Sequence, residues 1–182
     1  MTLSLDRFAS PLGEILLVFE GDTLRALDFW DYEPRMHRLL RLHYGSVVLT
    51  EAPAPTAIRA PLDAFFAGDW AALDRVAVAT GGTPFQRQVW SSVRRIRPGA
   101  TQSYGALAAA IGRPGASRAV GLANGANPVA IVVPCHRVIG ANSALTGYGG
   151  GLARKAWLLA HEKGESQTQL PLPSLDAAYA PA

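Results

Sequence analysis

Hydrophobic and polar positions change their spacing along the chain, and each change predicts a different kind of element. Up to residue 30 the apolar residues come in short runs, "LSLDRF", "EILLVFE" and "LRALDFW", separated by "SPLG" and "GD". Short apolar runs between turn residues predict three strands. The spacing then lengthens: "EPRMHRLLRLHYG" repeats about every 3.6 residues and closes on glycine, which predicts a helix. "SVVLTE" reads as another strand, and "LDAFFAGDW" as the end of a helix that follows Pro61. Residues 1–79 thus form a small N-terminal α/β domain.

Helical spacing resumes at "TGGTPFQ". Thr83 is placed to cap a helix whose first residue is Pro84. Phe85, Val89, Val93 and Ile96 fall on one stripe, and Arg94, Arg95 and Arg97 suit the negative end of the helix dipole. Ser103 caps a short alanine-rich helix at 104–111, stopped by Gly112 and Pro114, and a tight turn leads to a second at 117–124. Two short helices around a glycine-containing turn make a helix-turn-helix candidate, although paired helices also occur as plain core packing. "VAIVVP" reads as a buried strand from its continuous β-branched character. A flexible glycine-rich loop follows, and then "LARKAWLLAHEKG", a last helix with Leu152, Ala156 and Leu159 on one face. Residues 80–164 form a second, mostly helical domain, so the fold class is α+β. Residues 165–182, biased to polar residues, proline and alanine, read as a flexible tail.

Composition narrows the function classes. A hydrophobic fraction of 49% with 17% charged residues fits a soluble globular protein. No apolar stretch approaches the roughly 20 residues that span a bilayer, and the N-terminus lacks the pattern of a secretory signal. The expectation is a cytoplasmic protein with no membrane partner. One cysteine in 182 residues allows neither an internal disulfide nor a multi-cysteine zinc site, so no metal is expected. His37 and His43, six apart, read as surface or helix-packing residues.

The net charge of +3 hides an asymmetry. Residues 1–82 hold seven arginines against eleven acids, whereas residues 83–163 hold ten Lys/Arg against Glu162 alone. The basic half points to a polyanion, most simply nucleic acid, although an ordinary basic surface would give the same count. Arg118 begins the second short helix, where recognition helices meet DNA.

The single cysteine stands in "IVVPCHRVIG". His136 and Arg137 adjoin Cys135, and positive charge nearby favours the attacking thiolate. Glu162 lies at a helix C-terminus, where the dipole disfavours a negative charge, so a cationic or hydrogen-bonded partner is expected, and His136 fits. These residues compose a relay with Cys135 as nucleophile, His136 as base and Glu162 as its orienting carboxylate. Adjacent side chains in an extended segment point apart, so a bridging water between Cys135 and His136 is expected. An inert buried thiol stays open, and a cysteine hydrolase could use the same trio.

"PCHRVIG", taken with "GTPFQRQVW", "SYGALAAAIG", "SRAVGLANGANP" and "TGYGGGLARKAWLLAHE", closely resembles the O6-alkylguanine-DNA alkyltransferases, or methylated-DNA–protein-cysteine methyltransferases, and in particular the bacterial Ogt-type members. "SPLG" and "FFAG" extend the likeness more weakly into residues 1–79. The resemblance implies a ribonuclease H-like N-terminal domain and a winged-helix-like C-terminal domain. It implies direct-reversal repair acting on double-stranded DNA that contains alkylated guanine, approached from the minor groove by a monomer without cofactor. An alkyl group on guanine O6, less readily thymine O4, would pass irreversibly to Cys135, once per molecule. By position, His136 is the water-bridged base, Glu162 its partner, and Asn127 the brace of the active-site turn. Tyr104 helps extrude the nucleotide and donates to the departing base, and Arg118 fills the gap left in the stack. Gly105, Arg113 and Ala119 are further DNA contacts, and Val138, Tyr148, Gly149 and Gly150 line the alkylguanine pocket. Gly149 stands where many members carry a serine. A non-catalytic lesion sensor of related sequence is the alternative, although such proteins lack the acceptor cysteine.

Overall fold

The structure is a computed structural model that describes residues 1–165. The expected flexible tail therefore lies, beyond its first residue, outside the described residues. β1 (Thr2–Ser10) and β2 (Gly13–Glu20) form a hairpin closed by Pro11 and Leu12, and β3 (Thr23–Phe29) adds to β2 antiparallel. β4 (Val48–Glu51) runs parallel to β1 and β5 (Ala77–Val78) parallel to β3, giving the order β4-β1-β2-β3-β5.

Both faces of this sheet are covered, which explains the continuous apolar run in β2. Leu16 and Val18 join Leu3, Leu5 and Ala26 beneath Met36 and Leu40 of α1 (Glu33–Tyr44). Ile15, Leu17 and Phe19 face the other way. A register shift between Val18 and Phe19 brings Leu24 to the same face as Leu27 and Phe29, despite their different parity.

That second face packs on α2 (Thr56–Phe66), which begins ahead of Pro61 rather than after it. Ile58, Leu62 and Phe65 form a fully buried stripe through the proline. Burying three large side chains outweighs the one hydrogen bond Pro61 cannot donate.

The same buried cluster continues into the remaining helices through Val89, Val93, Val120, Val129 and Leu158. α3 (Pro84–Arg94) starts with the expected cap: Thr83 and Gln86 exchange side-chain and backbone hydrogen bonds. α4 (Tyr104–Ala110), capped by Ser103, and α5 (Ser117–Gly125) flank a turn in which Gly112 and Gly115 have positive φ. β6 (Gln102–Ser103) pairs in parallel with β7 (Val138–Ile139), and α6 (Leu152–His161) closes the described chain.

Two expectations are corrected here. Residues 128–134 are not a strand. Val129 makes a single parallel bridge to Leu27, after which the chain turns, and Ile131 takes a φ of 67°. Every residue from Val129 to Val133 is buried, so the segment is apolar throughout whatever its conformation. Leu27 pairs with the Pro128 carbonyl and the Ala130 N–H; beyond that bridge the chain bonds to itself, and the Asn127 side chain accepts from the Val129 N–H and donates to the Val133 carbonyl.

In α6 the apolar face read from Leu152, Ala156 and Leu159 points outward. Leu152 is 48% exposed, and the inner face carries Arg154, Lys155, Trp157 and Leu158. Buried cations are tolerated there because both are bonded: Lys155 to backbone carbonyls, Arg154 to Asp31 and the Leu12 carbonyl. Among the described residues no helix is long and apolar enough to cross a membrane.

Candidate active site

The buried turn from Asn127 delivers the chain to a short 3-10 helix, Cys135–Arg137. Its three side chains are buried, with Cys135 6% exposed. They are therefore not in the extended segment that was expected. The Asn127 amide donates to the Val133 carbonyl at 2.8 Å and to Cys135 Sγ at 3.1 Å. Asn124, in the last turn of α5, donates to the Cys135 carbonyl at 3.2 Å, so one asparagine inside the helix end and one just beyond it hold the cysteine. This bears on the bracing position expected for Asn127.

His136 is fully buried, with its ring perpendicular to that of Tyr148 at 6.5 Å. Its Nε2 lies 2.8 Å from Glu162 Oε1. Arg137, which the sequence reading used only as a nearby charge, grips the same carboxylate: Nη2 donates to Oε1 at 2.8 Å and Nε to Oε2 at 2.9 Å. The Gly99 N–H adds a bond to Oε2 at 3.3 Å, and Arg137 Nη1 reaches the Ile96 carbonyl at 2.5 Å. Burial at the C-terminus of α6 would raise the Glu162 pKa, but the hydrogen bonds and charges of His136 and Arg137 outweigh it and bring it to about 2.

A carboxylate ionised at neutral pH can only accept, so the Nε2 proton of His136 must point at it. Burial lowers the His136 pKa, Arg137 and Lys155 add to that, and the Glu162 carboxylate only partly offsets them. The ring is therefore neutral at pH 7 with its Nδ1 lone pair unprotonated, and Nδ1 has no hydrogen-bond partner among the described residues. That is the protonation state a base needs.

One expectation about the thiol is overturned. Burial raises the Cys135 pKa, and the Asn127 bond with the charges of Arg35 and Lys155 does not offset it. The neighbouring cations are already committed: Arg137 to Glu162, and Lys155 to the carbonyls of Val138 and Thr146 at 2.6 and 2.9 Å. The resting sulfur is a neutral thiol.

The other expected residues fall into two places. Tyr148 lies half-buried beside His136, with its hydroxyl buried and unpartnered among the described residues and its pKa raised well above the ordinary range by burial. Val138 is fully buried in β7. Gly149 and Gly150 are closely covered: a Cβ would meet Arg35 at the first and the Phe29 ring at the second. Tyr104 donates to the Thr146 carbonyl at 3.1 Å, the same oxygen that Lys155 holds. Tyr104 also lines, with Gly105 and Arg118, an open groove of about 530 Å³ between α4 and α5. Ala119 is exposed on α5, while Arg113 sits over the Phe85 ring at 5.5 Å.

Arg35, Lys155 and Asn124 were not found by sequence reasoning. Each binds backbone carbonyls, which no residue pattern announces.

Residues 84–164 match the family described as 6-O-methylguanine DNA methyltransferase, DNA binding domain. The chain is 51% identical over 160 residues to the methylated-DNA–protein-cysteine methyltransferase of Salmonella typhimurium, covering 86% of this chain and 94% of that protein. It is 57% identical over 166 residues to the protein of the same name from Mycolicibacterium paratuberculosis, covering 90% and 94%. The crystal structure of Mycobacterium tuberculosis OGT in complex with DNA superposes with a TM-score of 0.76 at 39% identity, covering 94% of this chain and 99% of that one.

Replacing Glu162 by Gln leaves the Arg137 cation buried without its counter-charge, and is expected to reduce the unfolding free energy by about 3 kcal/mol at neutral pH. Because the folded-state pKa is depressed, that loss is full above pH about 4.5 and shrinks as pH falls toward about 2, where the wild-type carboxylate takes a proton. Denaturant titrations of both proteins across this window check it; a difference that stays constant with pH contradicts the assignment.

Proposed function

The chain belongs to the methylated-DNA–protein-cysteine methyltransferases, which repair DNA by moving a methyl group onto a cysteine of their own, and on that premise we propose that Cys135 is the acceptor, served by His136 and Glu162. The substrate is alkylated guanine in duplex DNA, with O4-alkylthymine a poorer one. A single observation carries this reading: the chain's only cysteine is held by Asn127 beside a neutral, carboxylate-oriented imidazole.

In the transfer, sulfur attacks the alkyl carbon, the carbon–O6 bond breaks, and its electron pair leaves on guanine. The thiol proton passes through a bridging water to His136 Nδ1, and Glu162 stabilises the imidazolium that forms. Hydrogen bonding from the Tyr104 hydroxyl offsets the charge left on the base. Generating the anion only as the bond forms suits a sulfur that burial keeps neutral at rest. The new carbon–sulfur bond is not hydrolysed, so each molecule acts once.

A stacked base cannot present its alkyl group in line to a protein thiol, so the nucleotide leaves the helix, at a cost of a few kcal/mol. The groove lined by Tyr104, Gly105 and Arg118 supports a docking of α4 and α5 in the minor groove, with Arg118, exposed at the start of α5, filling the vacated stack. Reading the minor groove suits repair without sequence preference, because its base code is degenerate. Gly105, Arg113 and Ala119 contact the backbone, and Val138, Tyr148, Gly149 and Gly150 enclose the flipped base. On this reading residues 1–79 form a ribonuclease H-like unit and residues 80–164 a winged-helix-like one, and the protein acts as a monomer in the cytoplasm.

Incubation with a duplex carrying O6-methylguanine is expected to add the mass of one methyl group per molecule, located on Cys135 by peptide mapping. An unchanged mass would make the protein a lesion binder instead. Arg118→Ala is expected to slow repair in the duplex about tenfold more than it slows reaction with free O6-benzylguanine, since only the duplex has a stack to fill. Single-turnover rates with both substrates check this, and equal slowing contradicts it.

A further inference from the structure

The glycine-rich segment after Tyr148 packs against the N-terminal unit, and Arg35 of α1 occupies the junction. Its guanidinium donates to Asp28 Oδ2 at 2.5 Å, to the Gly125 carbonyl at 2.7 Å and to the Asn127 carbonyl at 2.9 Å. Asn127 is the residue whose side chain holds Cys135 Sγ. A continuous set of contacts thus runs from a buried carboxylate on β3, through Arg35, to the sulfur.

Gly149 lies against the same guanidinium. An ideal Cβ there would stand 2.7 Å from Cζ, 2.8 Å from Nη2 and 2.9 Å from Nε of Arg35. Gly149 is not among the glycines with positive φ, so its backbone is one that any residue adopts. What excludes a side chain is the arginine. The guanidinium in turn has little freedom to step aside, because its donors leave in a fixed plane and three acceptors hold them.

We propose that Arg35 is a positioning residue for Cys135, acting across the two halves of the chain by fixing the Asn127 backbone, and that Gly149 is the space this arginine requires. The inference rests on the reading of Cys135 as the acceptor. Neither residue is interchangeable alone: any side chain at 149 displaces the guanidinium, and the Asn127 carbonyl and Asp28 lose their donor together.

The charged and titratable groups around the sulfur come from several elements. Arg35 from α1 and Lys155 from α6 favour the thiolate, and Asp28 from β3 opposes it. The phenols of Tyr104 and Tyr148 and the buried His136 complete the surroundings. Removing or displacing Arg35 takes away one of the two cations as well as the brace, so the pH at which the sulfur becomes reactive is expected to rise.

The test is a double-mutant cycle on Arg35→Met and Gly149→Ala, read with two reagents by intact mass. Iodoacetamide reports the single thiol without needing a guanine pocket, and free O6-benzylguanine reports alkyl transfer without DNA. Each single variant is expected to react about tenfold more slowly with both reagents, the scale for losing a charged donor to buried acceptors, and its iodoacetamide pH profile is expected to move upward. The double variant is expected to match the slower single one, since the alanine has nothing left to displace. Wild-type rates in either single variant, or slowing that multiplies in the double, would overturn the proposal. Should Arg35→Met fail to fold, Gly149→Ala with iodoacetamide carries the test, and an unchanged rate and profile there would suffice to reject it. If the wild type itself takes no benzyl group, the acceptor reading fails, while the iodoacetamide arm still decides the role of Arg35.

Discussion

The Glu162 carboxylate, buried at the end of α6, is shared by His136, Arg137 and the Gly99 N–H. A helix C-terminus repels negative charge, and burial adds to the penalty. The arrangement holds because a two-pronged guanidinium and an imidazole N–H both donate to it. In doing so they tie α6 to the cysteine turn, while Arg137, through the Ile96 carbonyl, ties that turn to the chain just beyond α3. The same carboxylate settles which ring nitrogen of His136 carries the proton. Orientation of the base and cohesion of the helices are thus one interaction.

Burial dominates the sulfur as well. The turn from Asn127 to Arg137 is enclosed on all sides, so the Cys135 thiol stays protonated despite the cations near it. A neutral, nearly inaccessible thiol reacts slowly with stray electrophiles and oxidants, which follow thiolate character and exposure. For a protein proposed to act once, that protection preserves the acceptor until a substrate places its alkyl carbon against the sulfur. The proton must then leave during the reaction, which is why a base of fixed tautomer matters more than a standing charge.

How far the sequence carried this picture depended on where each residue's partner lies. β1 to β3 were legible because turn residues bracket them, and α3 because its cap is local. Glu162 was legible because it is the only acid in a long basic stretch. Residues 128–134 misled, since full burial makes a turn as apolar as a strand and, beyond the Leu27 bridge, the hydrogen bonds come from the turn itself and one asparagine side chain. The face of α6 misled for the complementary reason: Arg154 and Lys155 look like solvent-facing charges until the carbonyls and carboxylate that satisfy them are in place. The bidentate role of Arg137 and the reach of Arg35 across the chain have no local signature at all.

The state of the His136 ring at rest decides the matter most directly. In ¹⁵N-labelled protein at neutral pH, the ring nitrogens of His136 should show a proton on Nε2 and a bare Nδ1, with the neighbouring thiol un-ionised. A doubly protonated ring beside a thiolate, or a proton on Nδ1 alone, would contradict this account of how the sulfur is activated.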